Sequence, residues 1–498
     1  MKYHFFYDET EHSRKINYDT ITAANYYDNF IVAIVGWNAE DEKSICEKYE
    51  GFEAKYEYRK KNGELKSLTM KPKDFQFGFA SLNKNTISFY EDLLSLYDEK
   101  VITYFSVFSK IEFVINQLFQ NYHNSLFVDI DSMKYSIIKA ILVYHPEKVI
   151  KAIYKKPQEF VKELRLFFKE RIEKNKANIS LKERENIAFE QILVLLNDVD
   201  SISSLDWRYF ASFDGFGKLL KEMDIQDYLL IIDQEGDMHN TAKSAEDVGI
   251  KNVSEGNSLD YVGIRMSDMF VGLISKLMQS LKESLTNDYA NGKVKKTLLD
   301  TGWFALNDRQ LNLYKRLHKI ICIDNKYWYN TYSGIYSDDL VSFISLLQYM
   351  SHFKSNNEIR ENDFKMLPEY FNAFACENLQ GRFEILRNKL PIEPMYDDSK
   401  DHFFNQRGAK VYKDILKQPI LPIKEGQNQY TILSVGFSNK GNPLVTISEK
   451  GEAICYRLPD DYCEWAMTVV GLANSGTNFF PEEVVFSLVN GEYYVDIL

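Results

Sequence analysis

Carboxylates stand at the ends of two segments that predict strands. Asp8 and Glu9 close the aromatic segment YHFFYDE, residues 3–9, and Asp233 follows four consecutive aliphatic residues at 229–232. A further acid, Asp268, lies in a long segment with helical periodicity. Acids that a fold brings together repel one another, and bound divalent cations relieve that repulsion. Mg²⁺ or Mn²⁺ held by such acids could activate a water and stabilise the leaving oxygen in phosphodiester cleavage.

The strands that would position these acids follow from composition. The segments at 3–9, 29–37 and 101–109 predict three strands that could form an antiparallel meander. The segment at 227–233 predicts a buried strand that adds in parallel to the first strand. Because open α/β sheets place their sites at strand ends, we expect Asp8 and Asp233 to lie close together. Acids at strand ends are also common, so an ordinary strand end is the alternative.

A long helix is predicted to begin near residue 260. Its apolar residues recur with i, i+3, i+4, i+7 spacing and would pack on the sheet; they are Met266, Met269, Phe270, Leu273, Ile274 and Leu277. Asp268 lies off the centre of that stripe, on a line with Gly272 and Ser275. Small residues there would let the helix approach other backbone closely. An acid at the margin of a buried face must be paired or must bind a metal.

Four short motifs occur in an order that resembles a known family. FYDET, GELK, LLIIDQE and NSLDYVGIRMSDMFVG are similar to the motifs of an RNase H-like group, domain-of-unknown-function family 3800. The resemblance covers about residues 1–285 and implies an α/β fold with an RNase H-like mixed sheet and a metal-dependent nuclease activity. The chain departs from the pattern in two places: it lacks the glycine that follows the first acids in the family, and IRMSD replaces IQLAD.

The resemblance implies the metal ligands. Asp8, Asp233 and Asp268 would hold Mg²⁺ or Mn²⁺, which are the cofactors expected of this family. Glu9 or Glu64 would complete the metal shell or orient the attacking water. These five acids are therefore the candidate catalytic carboxylates.

The resemblance also identifies polar residues around the acids. Lys66, in the GELK motif, would contact a phosphate or pair with an acid. Ser258 lies in the last of the four motifs, NSLDYVGIRMSDMFVG, which we call the closing motif. Arg265, in the same motif, could add a phosphate contact. His12 and His239 are the histidines nearest to the predicted acids, and either could move protons or be an ordinary polar turn residue.

One basic segment stands out in an acidic chain. Residues 147–184 carry twelve Lys or Arg and six Glu, a local net charge of +6, whereas the whole chain has −12. Because an acidic protein needs a local basic patch or bound cations to approach nucleic acid, this segment is the candidate phosphate-binding surface. Its candidate contacts are Lys155, Lys156, Lys162, Arg165, Lys169 and Arg171. A solvated helical face with i,i+4 charge pairs is the alternative.

The chain length and periodicity predict three regions. The first is an RNase H-like core at 1–285 with a helical insertion at about 125–205. The second is a mainly helical region at 286–400, and the third is a small β-rich domain at 401–498 that could recruit a protein partner. The Asn490-Gly491 pair in the third region predicts a hairpin turn.

The cysteines and apolar segments indicate the compartment. Five scattered cysteines without a CxxC pair argue against a zinc ribbon or a disulfide framework and suit a reducing cytoplasm. The first residues lack the apolar region of a signal peptide. No stretch reaches 18 uncharged apolar residues, so we expect a cytoplasmic protein without a membrane partner.

These features support three hypotheses. The first is a cytoplasmic Mg²⁺- or Mn²⁺-dependent nuclease acting on DNA or RNA, for which the family resemblance suggests a role in microbial antiviral defence. The second is a catalytically silent RNase H-like scaffold that binds nucleic acid or a protein partner. The third is another phosphoryl transfer on mononucleotides. Convergence of Asp8, Asp233 and Asp268 within reach of a bridging metal distinguishes the first hypothesis from the second.

Overall fold

A computed structural model describes residues 2–10, 26–122, 129–197, 199, 205, 210–234, 240–285, 298–324, 326–388, 402–404, 409–412, 418–438, 441–474 and 477–498. The chain forms two compact units. The first comprises Met1–Phe119, Lys134–Asn325 and Tyr329–Leu379, and the second comprises Gln120–Met133, Lys326–Trp328 and Gln380–Leu498.

A six-stranded mixed sheet forms the centre of the first unit. The strands of this unit are β1 (Tyr3–Glu9), β2 (Asn29–Asn38), β3 (Gln76–Phe79), β4 (Ile102–Ser109), β5 (Tyr228–Asp233), β6 (Val253–Gly256) and β7 (Thr331–Ser333). The sheet order is β6-β5-β1-β2-β4-β7. Strands β1, β2 and β4 pair antiparallel, and β5 joins β1 in parallel. The predicted meander and the predicted parallel strand are therefore confirmed.

Two further strands extend the sheet at its edges. β6 pairs in parallel with β5, and β7 pairs in parallel with β4. The sequence did not predict β7, because three residues are too few to show strand periodicity. Its position in the sheet shows that the first unit extends beyond residue 285, to residue 379.

Helices cover the sheet and fill the connection between β4 and β5. Those before residue 389 are α1 (Glu42–Lys55), α2 (Lys84–Ser95), α3 (Lys110–Leu118), α4 (Ile130–Tyr144), α5 (Glu147–Lys155), α6 (Phe160–Asn175), α7 (Ile179–Leu195), α8 (Ala211–Glu222), α9 (Asn240–Asp247), α10 (Val262–Leu285), α11 (Asp308–His318), α12 (Asp338–His352), α13 (Asn356–Glu361) and α14 (Leu367–Asn388). None of the described helices is long and apolar enough to cross a membrane.

Helix α10 packs on the sheet through the predicted apolar stripe, and all six predicted residues of that stripe are fully buried. Gly272 allows the predicted close approach, because a Cβ atom at this position would lie 2.2 Å from the Cβ of Ser67. Gly263 similarly faces the ring of Phe6, which a Cβ atom would meet at 2.0 Å. The helix is thus held directly against β1 and against the segment that contains Ser67.

A second sheet forms most of the second unit. Its strands are β8 (His402–Phe404), β9 (Lys410–Tyr412), β10 (Gly426–Phe437), β11 (Pro443–Glu449), β12 (Glu452–Arg457), β13 (Glu482–Val489) and β14 (Glu492–Ile497), in the order β14-β13-β10-β11-β12-β9-β8. Helix α15 (Cys463–Asn474) packs on it. The predicted hairpin is confirmed: Asn490 and Gly491 both have positive φ angles, 52° and 83°, between paired strands.

Candidate functional site

Strand β1 brings Asp8 to the face of the sheet that α10 covers. The Phe6 side chain lies on this face, since a Cβ atom at Gly263 of α10 would lie 2.0 Å from its ring. Strand side chains alternate between faces, so Asp8, two residues further on, points to the same side. Only 8% of Asp8 is exposed. The acid is therefore buried between the sheet and the helix that carries Asp268.

Glu9 lies on the opposite face of the same strand. It shares that face with Tyr7, whose ring stacks on Phe213 of α8 at a centroid distance of 5.0 Å. The Tyr7 hydroxyl donates a hydrogen bond to the Glu9 carboxylate at 2.5 Å. The sequence presented Asp8 and Glu9 as a pair, but the pleat of the strand separates their side chains.

The acids on the α10 face influence one another. Burial raises the pKa of Asp8 well above its usual range, and the nearby charges of Asp268 and Asp233 raise it further. Burial also raises the pKa of Asp233, where Lys66 opposes the shift while Glu64 and Asp268 reinforce it. Asp233 lies beside Asp8 because Ile232, the residue before Asp233, pairs with Tyr7, the residue before Asp8. The structure therefore brings Asp8, Asp233 and Asp268 close enough for their charges to influence one another. That they lie within reach of one bridging metal ion stays a prediction.

Ser67 orients the Asp268 carboxylate, a role that sequence reasoning missed. The Ser67 backbone N–H and hydroxyl donate hydrogen bonds to the two Asp268 oxygens at 2.8 and 2.5 Å. Burial raises the pKa of Asp268, and these two hydrogen bonds oppose that rise. One signal in the sequence could have drawn attention to the residue: Ser67 directly follows GELK.

Lys66, Glu64 and Ser258 form a network beside the acids. The Lys66 ammonium lies 2.8 Å from Glu64 Oε1 and 3.3 Å from the Ser258 hydroxyl. That hydroxyl donates to the same Glu64 oxygen at 3.1 Å. The second oxygen, Glu64 Oε2, is buried without a hydrogen-bond partner among the described residues. The network joins the GELK motif to the closing motif, which are almost 200 residues apart.

Arg265 directs its donors towards protein groups. Its Nε lies 3.2 Å from Glu53 Oε1 of α1, and one terminal nitrogen donates to the carbonyl oxygens of Ser258 and Leu259 at 2.6 and 3.0 Å. Only 7% of the residue is exposed. Arg265 thus fixes the loop that carries Ser258, whereas the sequence had suggested a phosphate contact.

The donor set fits a hard divalent cation in its chemistry. Burial raises the pKa values of Asp8, Asp233 and Asp268, and the charges of neighbouring acids raise them further. Glu64 offers a further buried oxygen without a partner. Mg²⁺ prefers such oxygen ligands. In the part of the chain that the structure describes, however, no group of three His, Cys, Asp or Glu side chains is arranged to hold a metal ion. The acids converge without forming a completed ligand shell.

The six predicted phosphate-binding residues of the basic segment differ in their surroundings. Lys156 contacts Glu159, Arg165 contacts Asn197, and Arg171 contacts Tyr144 and Asn175. Lys155, Lys162 and Lys169 are exposed on α5 and α6. Lys162 and Lys169 are seven residues apart and therefore lie on one side of their helix. This pair is the part of the segment that best suits a phosphate.

His12 and His239, the two histidines considered near the acids, lie outside the described residues. Comparison of the chain with protein-family models, with curated proteins and with solved structures finds no match. The resemblance to the RNase H-like family therefore stays a prediction.

Proposed function

We propose that this chain is a divalent-metal-dependent nuclease with an RNase H-like core, which hydrolyses the phosphodiester bonds of DNA or RNA. One observation carries the proposal: carboxylates from β1, β5 and α10 converge on one face of the sheet at the ends of β1 and β5. Asp8, Asp233 and Asp268 would hold Mg²⁺ or Mn²⁺. When bound, the cation would activate water and stabilise the leaving oxygen.

The neighbouring residues would prepare the acids for this role. Ser67 holds the Asp268 carboxylate in one orientation through two hydrogen bonds. Lys66 provides a positive charge that can pair with a substrate phosphate. Of the two acids considered for the outer shell we retain Glu64, because it lies beside Lys66 whereas Glu9 is on the other face of β1.

Two features of the sequence and fold support the proposal. The four motifs occur in the order of the RNase H-like family, and a strand that ends in an acid pairs in parallel with the first strand. The same resemblance is the basis for proposing a role in microbial defence. Fold alone does not determine activity, so the acids rather than the sheet are the part to test.

The test is a cleavage panel with the purified full-length chain. Single- and double-stranded DNA and RNA, and mononucleotides, are incubated with Mg²⁺, Mn²⁺ or EDTA. We expect cleavage of at least one polymer with a cation, none with EDTA, and none by Asp8→Asn. Asp227→Asn, at the exposed opposite end of β5, is the matched control and should remain active. Hydrolysis of mononucleotides alone would favour the alternative phosphoryl transfer.

A catalytically silent scaffold is the second candidate. The observation that favours it is that Lys66 already neutralises Glu64, while the described residues contain no arranged set of three metal ligands. This hypothesis predicts binding of nucleic acid or a protein partner without cleavage and without dependence on a divalent cation.

A further inference from the structure

Three exposed apolar side chains flank the converging acids. The exposed fractions are 77% for Leu68, 54% for Leu259 and 37% for Tyr261. Single exposed apolar residues are normal, but several beside one site indicate a binding surface. Their two loops are joined by the hydrogen bond from Lys66 to Ser258. The apolar residues therefore belong to one surface at the edge of the acid site.

Leu68 and Leu259 follow directly after residues that contact the acids. Leu68 comes after Ser67, which binds Asp268, and Leu259 comes after Ser258, which binds Glu64. The Leu259 side chain also lies against the turn that leads into Glu64, since a Cβ atom at Gly63 would be 3.8 Å from it.

Tyr261 lies close to Asp233 because Gly256 makes room for its ring. A Cβ atom at Gly256 would come within 2.6 Å of the Tyr261 ring, and Gly256 pairs with Asp233 in the sheet. The ring centroid is 6.1 Å from that of Phe6, which precedes Asp8 by two residues on the same face. The ring thus lies against β1 and β6, the strands on either side of β5, which carries Asp233.

An aromatic ring and two leucines beside a lysine can together contact the base and the phosphate of one nucleotide. An aromatic side chain can stack on any base, because every base has a π-face. The Lys66 ammonium complements the phosphate of the same nucleotide. Bases inside a duplex are covered by their neighbours in the stack, so only an unpaired base can offer its face to a protein surface.

We propose that Leu68, Leu259 and Tyr261 form a platform for an unpaired base next to the phosphate at the acids, and that single-stranded nucleic acid is the substrate. This inference rests on the proposed nuclease function and adds the substrate class to it. The platform gives no preference for one base, because stacking is tolerant of sequence.

The test compares cleavage of a single strand with cleavage of a duplex of the same sequence. A third substrate is the single strand with an abasic residue at the mapped cleavage position. The full-length chain is assayed as wild type, Tyr261→Leu and Tyr261→Phe, with Val194→Ala as an exposed apolar control from α7. Tyr261→Leu keeps apolar packing against Phe6 but removes the aromatic face, and Tyr261→Phe keeps the ring.

We expect wild type to cleave the single strand at least about tenfold faster than the duplex and than the abasic strand. Tyr261→Leu should lose about tenfold in kcat/KM on the single strand and should no longer distinguish the abasic strand. Val194→Ala should behave as wild type, and Tyr261→Phe should still distinguish the abasic strand because it keeps the ring. Equal cleavage of duplex and single strand, or full activity of Tyr261→Leu, would overturn the platform but leave the nuclease function standing. If wild type cleaves no polymer, the proposed nuclease function is refuted, and so is the proposed role of the platform in substrate binding.

Discussion

Removal of the Lys66 charge is expected to tighten divalent cation binding. The Lys66 ammonium lies 2.8 Å from Glu64. Burial raises the pKa of Asp233 and of Asp268, and the charge of Lys66 opposes that rise. Its positive charge therefore repels a divalent ion that binds among these acids. The variant Lys66→Gln keeps most of the side chain and removes this charge.

The magnitude follows from the position of the ammonium. An ion on the unpartnered Glu64 oxygen would lie on the far side of that carboxylate, about 6 Å from the ammonium. At this distance a unit charge repels a divalent ion by roughly 1.4 kcal/mol at the dielectric constant of water, and by more at lower values. Since 1.4 kcal/mol corresponds to a factor of ten, Lys66→Gln should lower the Kd for Mn²⁺ at least about tenfold.

The assay measures free Mn²⁺ by electron paramagnetic resonance as the full-length protein is titrated, without nucleic acid. Lys60→Gln is the matched control and should leave the Kd unchanged. Lys60 pairs with Glu57 at 2.9 Å, whereas the charge that opposes the pKa rise of Asp233 and Asp268 is that of Lys66. Cleavage should respond in the opposite direction, since Lys66→Gln loses its phosphate contact. An unchanged or weaker Mn²⁺ affinity of Lys66→Gln would refute the reasoning.

Three further predictions concern packing, pH and the basic segment. Gly272→Ala places a Cβ atom 2.2 Å from that of Ser67 and should cost about 1–3 kcal/mol of stability in urea unfolding. Gly51→Ala, in a helix with open space around it, should increase the free energy of unfolding by about 0.5–1 kcal/mol. Equal effects of the two substitutions would contradict the close contact between Gly272 and Ser67. Burial raises the pKa of Glu112 from 4.5 to about 7. In the folded state the Glu112 carboxyl group therefore keeps a proton that it loses above pH 4.5 in the unfolded chain. The stability that this protonation contributes is lost as the pH rises to about 7. Urea unfolding at pH 5 and pH 8 should show this loss in wild type but not in Glu112→Gln, and parallel pH profiles would count against it. Charge reversal of Lys162 and Lys169 together should reduce the salt dependence of nucleic-acid binding by about one slope unit per lost contact, and an unchanged slope would exclude this surface.

The strands and the three converging acids could be predicted because their signals are local. The aliphatic run before Asp233 identifies a buried strand, and the apolar spacing around Asp268 identifies a helix face. The face of Glu9 could have been predicted too, since adjacent strand residues point to opposite sides. The pairing of Asp8 with Glu9 in one metal shell neglected this alternation.

The supporting contacts could not be predicted because they join distant segments. Ser67 and Asp268 are 201 residues apart in the chain, and no local pattern specifies their meeting. Arg265 resembles an exposed phosphate ligand in sequence, yet its burial is possible because Glu53, from another helix, provides the opposite charge. Such long-range pairs decide whether a charged residue faces solvent or holds a loop.

The central claim is that Asp8, Asp233 and Asp268 hold the catalytic cation, and Asp268→Asn tests it most directly. The substitution keeps the shape of the side chain and a hydrogen-bond acceptor for Ser67, but removes the ligand charge. The measurement is the rate of Mn²⁺-dependent polymer cleavage by Asp268→Asn, wild type and Asp227→Asn purified in parallel. We predict a loss of at least about 100-fold for Asp268→Asn and none for Asp227→Asn. Equal rates for all three proteins would contradict the account.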